Sequence, residues 1–93
     1  MATQTITLEE TLSDPECAYL YARDRVQGRW TEGEAVIAQS VLYSYYYALD
    51  ILHERFPLGE RVIAQDPYYA NRYFNDFKDQ FTEQESTFWL LSL

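Results

Sequence analysis

The chain has 93 residues, with 7 Lys and Arg against 15 Asp and Glu, a net charge of −8, and an apolar content of 47%. This length and apolar content fit one folded domain over residues 1–93, and the negative charge argues against direct binding of nucleic acid. One cysteine, Cys17, and one histidine, His53, exclude an intrachain disulfide and any site that needs two imidazoles.

The N-terminal residues MATQTITLEETL carry neither a basic flank nor a long apolar run, so they are not typical of a signal peptide. The sequence contains no stretch of about 18 apolar residues, and we therefore expect no membrane span. With a single cysteine and no export signal, we expect a cytoplasmic protein, or one of the host cytoplasm if the gene is viral.

The dominant feature of the sequence is an internal repeat of 26 residues. The segment VIAQ occurs at 36–39 and again at 62–65. Two residue types recur three times at the same offset, namely tyrosine at Tyr21, Tyr47 and Tyr73, and aspartate at Asp24, Asp50 and Asp76. This period predicts repeats at about 14–39, 40–65 and 66–91, preceded by an N-terminal cap over 1–13.

The N-terminal part of the chain carries signals for a short helix and then a long one. A T-x-x-E pattern at 7–10 predicts a capping box before the short helix. Asp14 followed by Pro15 predicts the start of a long helix that continues through 17–26. Gly28 suits the left-handed residue that often follows a helix C-terminus.

A short helix and a second long helix are predicted next. The T-x-x-E pattern at 31–34 predicts a capping box for a short helix that ends at Ala38. Ser40 is a suitable N-cap for a long helix over 41–54, and Pro57 is suited to the first turn of another short helix.

The third copy repeats the first half of the pattern and loses most of the second half. Asp66 and Pro67 predict the start of a long helix that ends near Lys78. A further T-x-x-E pattern at 82–85 precedes a last helix over 83–91, where the apolar positions persist without the polar ones. Such a degraded copy is typical of a capping repeat.

We therefore predict an all-α fold, a short helical-hairpin solenoid of about two and a half to three 26-residue repeats with capping ends. The competing interpretation is a β-strand at YSYYY, residues 43–47, because tyrosine favours strands. The repeat phase disfavours a strand, since Tyr47 aligns with Tyr21 and Tyr73 in capped helical segments.

The pattern D-P-x-x-A-Y-x-Y-A-x-D-x-x-x-G-R-W-x-E-G-E-x-x-I, from Asp14 to Ile37, resembles a tandem repeat of uncharacterised phage and prophage-associated proteins. The resemblance covers about residues 13–78 and implies a phage-like origin, with no catalytic residues attached to it. By analogy, small acidic phage proteins often inhibit host nucleic-acid-handling systems, anti-CRISPR and anti-restriction proteins among them.

Recurring apolar and small residues predict the core. Trp30 and Phe56 are expected to fill the corner between the two helices of a repeat. The buried face of the short helices is expected to consist of Val36, Ile37, Val62 and Ile63. Small residues recur at Ala18, Ser44 and Ala70, where they would let neighbouring helices approach closely.

The recurring acids Asp24, Asp50 and Asp76 each follow a recurring tyrosine by three residues, so each Tyr and Asp share one helix face. In stacked repeats, equivalent residues lie about 10 Å apart, which would produce a row of negative charge. The structural alternative is that each Asp pairs with a recurring arginine across the turn, such as Arg29 or Arg55.

Further candidate binding residues are the tyrosines Tyr43, Tyr46 and Tyr69, because tyrosine is enriched at interfaces. Glu83 and Glu85 add to an acidic C-terminal segment. The final run FWLLSL either packs back onto the third repeat or forms an exposed surface for self-association, for example as a homodimer.

Catalytic and cofactor motifs are not found in the sequence, and we expect neither an enzyme, nor a cofactor, nor a metal site. The favoured function is an inhibitor that binds the basic surface of a host protein or ribonucleoprotein and competes there with DNA or RNA. The alternatives are a helical-repeat adaptor without nucleic-acid mimicry and a self-associating structural protein.

Overall fold

A computed structural model describes residues 12–92, and all regular secondary structure in this part of the chain is helical. The α-helices are α1 (Pro15–Tyr21), α2 (Thr31–Ile37), α3 (Val41–Tyr46), α4 (Pro57–Ile63), α5 (Pro67–Phe77) and α6 (Glu83–Ser92). The predicted all-α class is therefore confirmed, and the β-strand interpretation of 43–47 is wrong. The capping box predicted at 7–10 lies outside the described residues.

Helices α1 and α3 both continue beyond their α-helical part as wider π-helical segments. These segments are Ala22–Val26 after α1 and Tyr47–Leu52 after α3, so the two long helices extend almost as far as the sequence predicts. The third long helix differs, because α5 stays α-helical to Phe77 and ends in a 3₁₀ turn over Lys78–Gln80.

The left-handed residue at the end of each π-helical segment is not a glycine. Gln27 has a φ of 62° and His53 a φ of 56°, and the two positions are 26 residues apart. The prediction of Gly28 for this position is wrong by one residue. In the wider turn, the N–H groups of Gln27 and Gly28 both donate to the Ala22 carbonyl, at 2.7 and 3.3 Å, so the chain reverses one residue earlier.

The predicted caps of the long helices are confirmed. The Asp14 carboxylate accepts from the Glu16 N–H at 3.3 Å, and the Ser40 hydroxyl accepts from the Tyr43 N–H at 3.1 Å. In the third copy, the Asp66 carboxylate accepts from the first turn of α5. Each side chain satisfies an N–H group that has no partner inside its helix, which fixes where the long helices begin.

The two predicted capping boxes within the described residues have different outcomes. Before α6, the Thr82 N–H donates to Glu85 at 2.9 Å and the Glu85 N–H donates to the Thr82 hydroxyl at 3.1 Å, as predicted. At α2 the prediction is wrong, because the N-cap is Trp30 and it makes no side-chain capping bond. The Glu34 carboxylate instead binds Arg29 and Tyr47.

The buried core follows the repeat period and confirms most of the predicted core positions, whereas Val36 and Val62 are only partly buried. Ile37 and Ile63 are fully buried, and Trp30 and Phe56 are buried at the corners. The small residues Ala18, Ser44 and Ala70 are also fully buried, as close packing of the long helices requires.

The C-terminal apolar run is divided between the core and the surface. Trp89 is buried and its ring packs on Tyr73 at 5.5 Å and on Phe81 at 5.4 Å. Three residues of the run are exposed, namely Phe88, Leu90 and Leu91, and the exposed fraction of Leu91 is 82%. Trp89 therefore packs back onto the third repeat, as one of the two interpretations predicted. The prediction of self-association concerns only the exposed side of α6.

Candidate binding surface

Successive long helices are joined by a hydrogen bond that recurs at the repeat period. The Tyr19 hydroxyl donates to Asp50 at 3.0 Å, and the Tyr45 hydroxyl donates to Asp76 at 2.5 Å. Both pairs span 31 residues, and their members differ by one repeat. Two of the three recurring aspartates therefore bind a tyrosine of the preceding long helix, which the sequence analysis did not foresee.

Asp24 occupies the equivalent place at the front of the array and has a different partner. The Arg23 guanidinium donates to its carboxylate at 2.7 Å, and both side chains are about half exposed. A surface ion pair of this kind contributes little to stability. Asp24 therefore differs from Asp50 and Asp76, because its carboxylate binds a neighbouring arginine in place of a tyrosine of another long helix.

The structural alternative for the aspartates, pairing with Arg29 or Arg55, is wrong. Arg29 binds Glu34 at 3.0 Å, five residues further along the chain, and Arg55 binds Glu60 at 2.7 Å in the same way. The guanidinium groups reach the glutamate of the following short helix because the chain turns back there. The recurring arginines thus pair with the recurring glutamates.

A second recurring contact, which we call the tyrosine clasp, joins the second and third long helices to the short helix that precedes each of them. The Tyr47 hydroxyl accepts from the Trp30 N–H at 2.8 Å and donates to Glu34 at 2.8 Å. One repeat later, the Tyr73 hydroxyl accepts from the Phe56 N–H at 2.8 Å and donates to Glu60 at 2.6 Å. The recurrence of Tyr and Glu 13 residues apart was the sequence signal for this contact.

Tyrosine rings cover one side of the three long helices. The rings of Tyr43 and Tyr46 pack on the buried Tyr19 at 5.4 and 6.1 Å, and the ring of Tyr69 packs on the buried Tyr45 at 5.6 Å. Tyr43, Tyr46 and Tyr69 are half-buried, and Tyr68 beside them is 61% exposed. We call Tyr43, Tyr46, Tyr68 and Tyr69 the tyrosine surface.

Most of the predicted binding residues meet at the tyrosine surface. Tyr43, Tyr46 and Tyr69 belong to it, and Asp50 and Asp76 adjoin it through the hydroxyl groups of the buried tyrosines. Tyr68 was outside the predicted set, although it directly precedes Tyr69 and its ring packs on that residue at 4.9 Å.

Glu83 and Glu85 lie elsewhere, in the first turn of α6. The Glu85 carboxylate binds Arg55 at 2.8 Å, and this bond, followed by the one from the Thr82 N–H, lowers the pKa of Glu85. Glu83 is exposed. Glu85 therefore binds Arg55 and the start of α6, and it is separate from the tyrosine surface.

Two arginines also contact the tyrosine side of the long helices. The Arg72 guanidinium lies 5.8 Å from the ring centre of Tyr45 and 5.6 Å from that of Tyr68. The Arg23 guanidinium lies 5.9 Å from the ring centre of Tyr19. These distances are typical of cation–π contacts, so this surface carries cations as well as carboxylates.

The buried tyrosines predict an alkaline limit to stability. Burial first, and then the bond to Asp50, raises the pKa of Tyr19 to about 12, and burial is also the main cause that raises the pKa of Tyr47 and Tyr73. In the unfolded chain these phenols ionise near pH 10, roughly the ordinary value. The contribution of these buried tyrosines to the free energy of unfolding is therefore fully present below about pH 10, and it is lost as the pH rises above that value.

Phenolate absorbance and circular dichroism, followed together from neutral to strongly alkaline pH, test this prediction. We expect Tyr19, Tyr47 and Tyr73 to ionise only as helix content falls. Ionisation of all nine tyrosines in one step, with helix content intact, would contradict it.

No group of three or more potential metal ligands of the His, Cys, Asp and Glu types occurs among residues 12–92. Within the same residues, no helix has the length and apolar character needed to cross a membrane.

Comparison of the chain with protein-family models, with curated proteins and with solved structures gives no match.

Proposed function

We propose that the protein is a protein-binding module, a short solenoid of 26-residue helical repeats that presents the tyrosine surface to a basic partner. The recurrence of the tyrosine clasp and of the Tyr–Asp bonds at the repeat period supports the solenoid. The observation that carries the binding function is a set of half-exposed tyrosines held in place by buried ones. Tyrosines fixed in this way lose little conformational entropy on binding.

The partner that we propose is the basic nucleic-acid channel of a host protein or ribonucleoprotein, which the protein would block as a phage-type inhibitor of host defence. The net charge of −8 supports this target, because it attracts the protein to such a channel before contact. The carboxylates of Asp14 and Glu16, which lie near the Tyr43 hydroxyl, place negative charge beside the rings.

A second candidate is an adaptor whose binding depends on the tyrosines and not on mimicry of nucleic acid. Arg23 and Arg72 favour this candidate, because they place positive charge on the tyrosine side of the helices. Several carboxylates are also engaged in ion pairs within the chain, including those of Glu34 and Glu60. The recurring aspartates are engaged as well, since Asp24 pairs with Arg23 and Asp50 and Asp76 bind tyrosines.

Capture from a bacterial lysate on the immobilised protein, compared with a Tyr43→Ser, Tyr46→Ser variant, tests the proposal. An inhibitor of the first kind is expected to retain a partner that duplex DNA displaces, with affinity falling about tenfold or more as salt screens the charges. The variant should lose that partner.

The capture experiment distinguishes the inhibitor from the adaptor, and it also distinguishes both from a protein that does not use the tyrosine surface. A partner that is lost in the variant but is indifferent to salt and DNA would indicate the adaptor. Equal capture by the wild type and the variant would contradict a role for the tyrosine surface in either function.

A further inference from the structure

We infer that Tyr43 and Tyr46 form a docking site for an arginine side chain of the partner, with the carboxylate of Glu16 as its counter-charge. The inference rests on the proposed function, since it specifies which basic group the tyrosine surface recognises. It places the site where α1 and α3 meet.

The repeat itself shows that arginine and tyrosine exchange roles on this surface. Arg72 packs over the buried Tyr45 at 5.8 Å. One repeat earlier, the position of Arg72 is occupied by Tyr46, which packs on the buried Tyr19 at 6.1 Å. The protein thus already stacks a guanidinium on a tyrosine ring in the same structural setting. A guanidinium from a partner can use the exposed parts of the Tyr43 and Tyr46 rings in the second copy.

The two proposed rings are held in a fixed arrangement before any partner arrives. Tyr43 and Tyr46 lie 6.2 Å apart with their planes at 75° to each other, and both contact Tyr19. Tyr19 is itself buried and fixed by its bond to Asp50. A flat cation stacked on one ring would therefore meet the edge of the other without loss of side-chain freedom.

Charge near the rings favours a cation, and its distribution favours arginine. Glu16 and Asp14 lie close enough to the Tyr43 hydroxyl to add to the effect of burial in raising the pKa of Tyr43. The cation on the same side of α1, Arg23, is balanced by Asp24. A guanidinium can stack on a ring and bind a carboxylate with two N–H groups at once, whereas a lysine ammonium is a point charge without a flat face.

Calorimetric titration with two short peptides that differ only in carrying arginine or lysine tests the inference. The arginine peptide is expected to bind about fivefold or more tightly than the lysine peptide. Tyr43→Leu and Tyr46→Leu should remove this difference, and Tyr43→Phe should keep it because the ring is retained. Glu16→Gln should weaken binding of both peptides.

Phe88→Leu is the matched control, because Phe88 is an exposed aromatic residue of α6 that lies outside the tyrosine surface, and its loss should leave the arginine preference unchanged. Circular dichroism of every variant confirms that the helices are intact. Equal affinity for the two peptides would overturn the inference and leave the proposed basic partner standing. Binding of neither peptide would contradict both, and loss of the preference in Phe88→Leu would overturn the assigned location.

Discussion

Tyr73→Phe is expected to lower the free energy of unfolding by about 1–3 kcal/mol, and Tyr47→Phe by a similar amount. Each substitution removes one hydroxyl from the tyrosine clasp and keeps the ring. The Tyr73 hydroxyl satisfies the backbone N–H of Phe56 and donates to Glu60, and Phe56 is fully enclosed. Without the hydroxyl, a buried N–H has no partner, and desolvation of such a group accounts for most of the loss.

Tyr21→Phe is the matched control, because Tyr21 occupies the same repeat position at the front of the array. Its ring packs on Trp30 at 4.6 Å, and no hydrogen bond of its hydroxyl is found within residues 12–92. Urea unfolding of the three variants, followed by circular dichroism, gives the comparison. A change at Tyr21 as large as that at Tyr47 and Tyr73 would show that the clasp hydroxyls are not the cause.

The helix starts and the buried positions could be predicted because each is decided by a few neighbouring residues. Asp14 and Asp66 with their prolines define where α1 and α5 begin, whatever the rest of the chain does. Burial of Ile37 and Ile63 follows from recurrence in a helical phase. In such cases local chemistry and repeat period point to the same answer.

The side-chain partners could not be predicted in the same way, because several acceptors compete for each donor. Glu34 matched a capping box at α2, yet its carboxylate is taken by Arg29 and by Tyr47 from the next long helix. The partner of Asp50 could not be predicted either, because Tyr19 lies 31 residues away in the sequence. Spacing along one helix gives no information on the neighbour that stacking brings next to it.

The π-helical ends of α1 and α3 were also beyond prediction. Gly28 has the residue type expected for a left-handed position, but the wider turn moves that position to Gln27. The second copy has Glu54 in place of Gly28 and His53 at the left-handed position, with the same geometry. The same backbone conformation therefore occurs with two different residue types, neither of which is the glycine that local preference favours.

Gly59→Ala is expected to destabilise the protein by about 1–3 kcal/mol, although alanine favours a helix over glycine by roughly 0.5–1 kcal/mol. A methyl group at Gly59 would lie 2.6 Å from the Ser44 hydroxyl oxygen and 2.7 Å from the Phe56 ring. Neither group can withdraw, because Ser44 and Phe56 are buried and the Ser44 hydroxyl donates to the Ile37 carbonyl at 3.1 Å. The steric cost therefore exceeds the gain in helix propensity.

Gly28→Ala is the control for this substitution, since a methyl group at Gly28 would meet nothing within 4 Å and the residue does not need a positive φ. We expect it to leave stability unchanged or to raise it by about 0.4–1 kcal/mol, through the reduced freedom of the unfolded chain. Thermal and urea unfolding of both variants measure the contrast. Equal stability of Gly59→Ala and the wild type would mean that α4 can move away from α3, and the close approach at Ser44 would then not be a fixed element of the repeat packing.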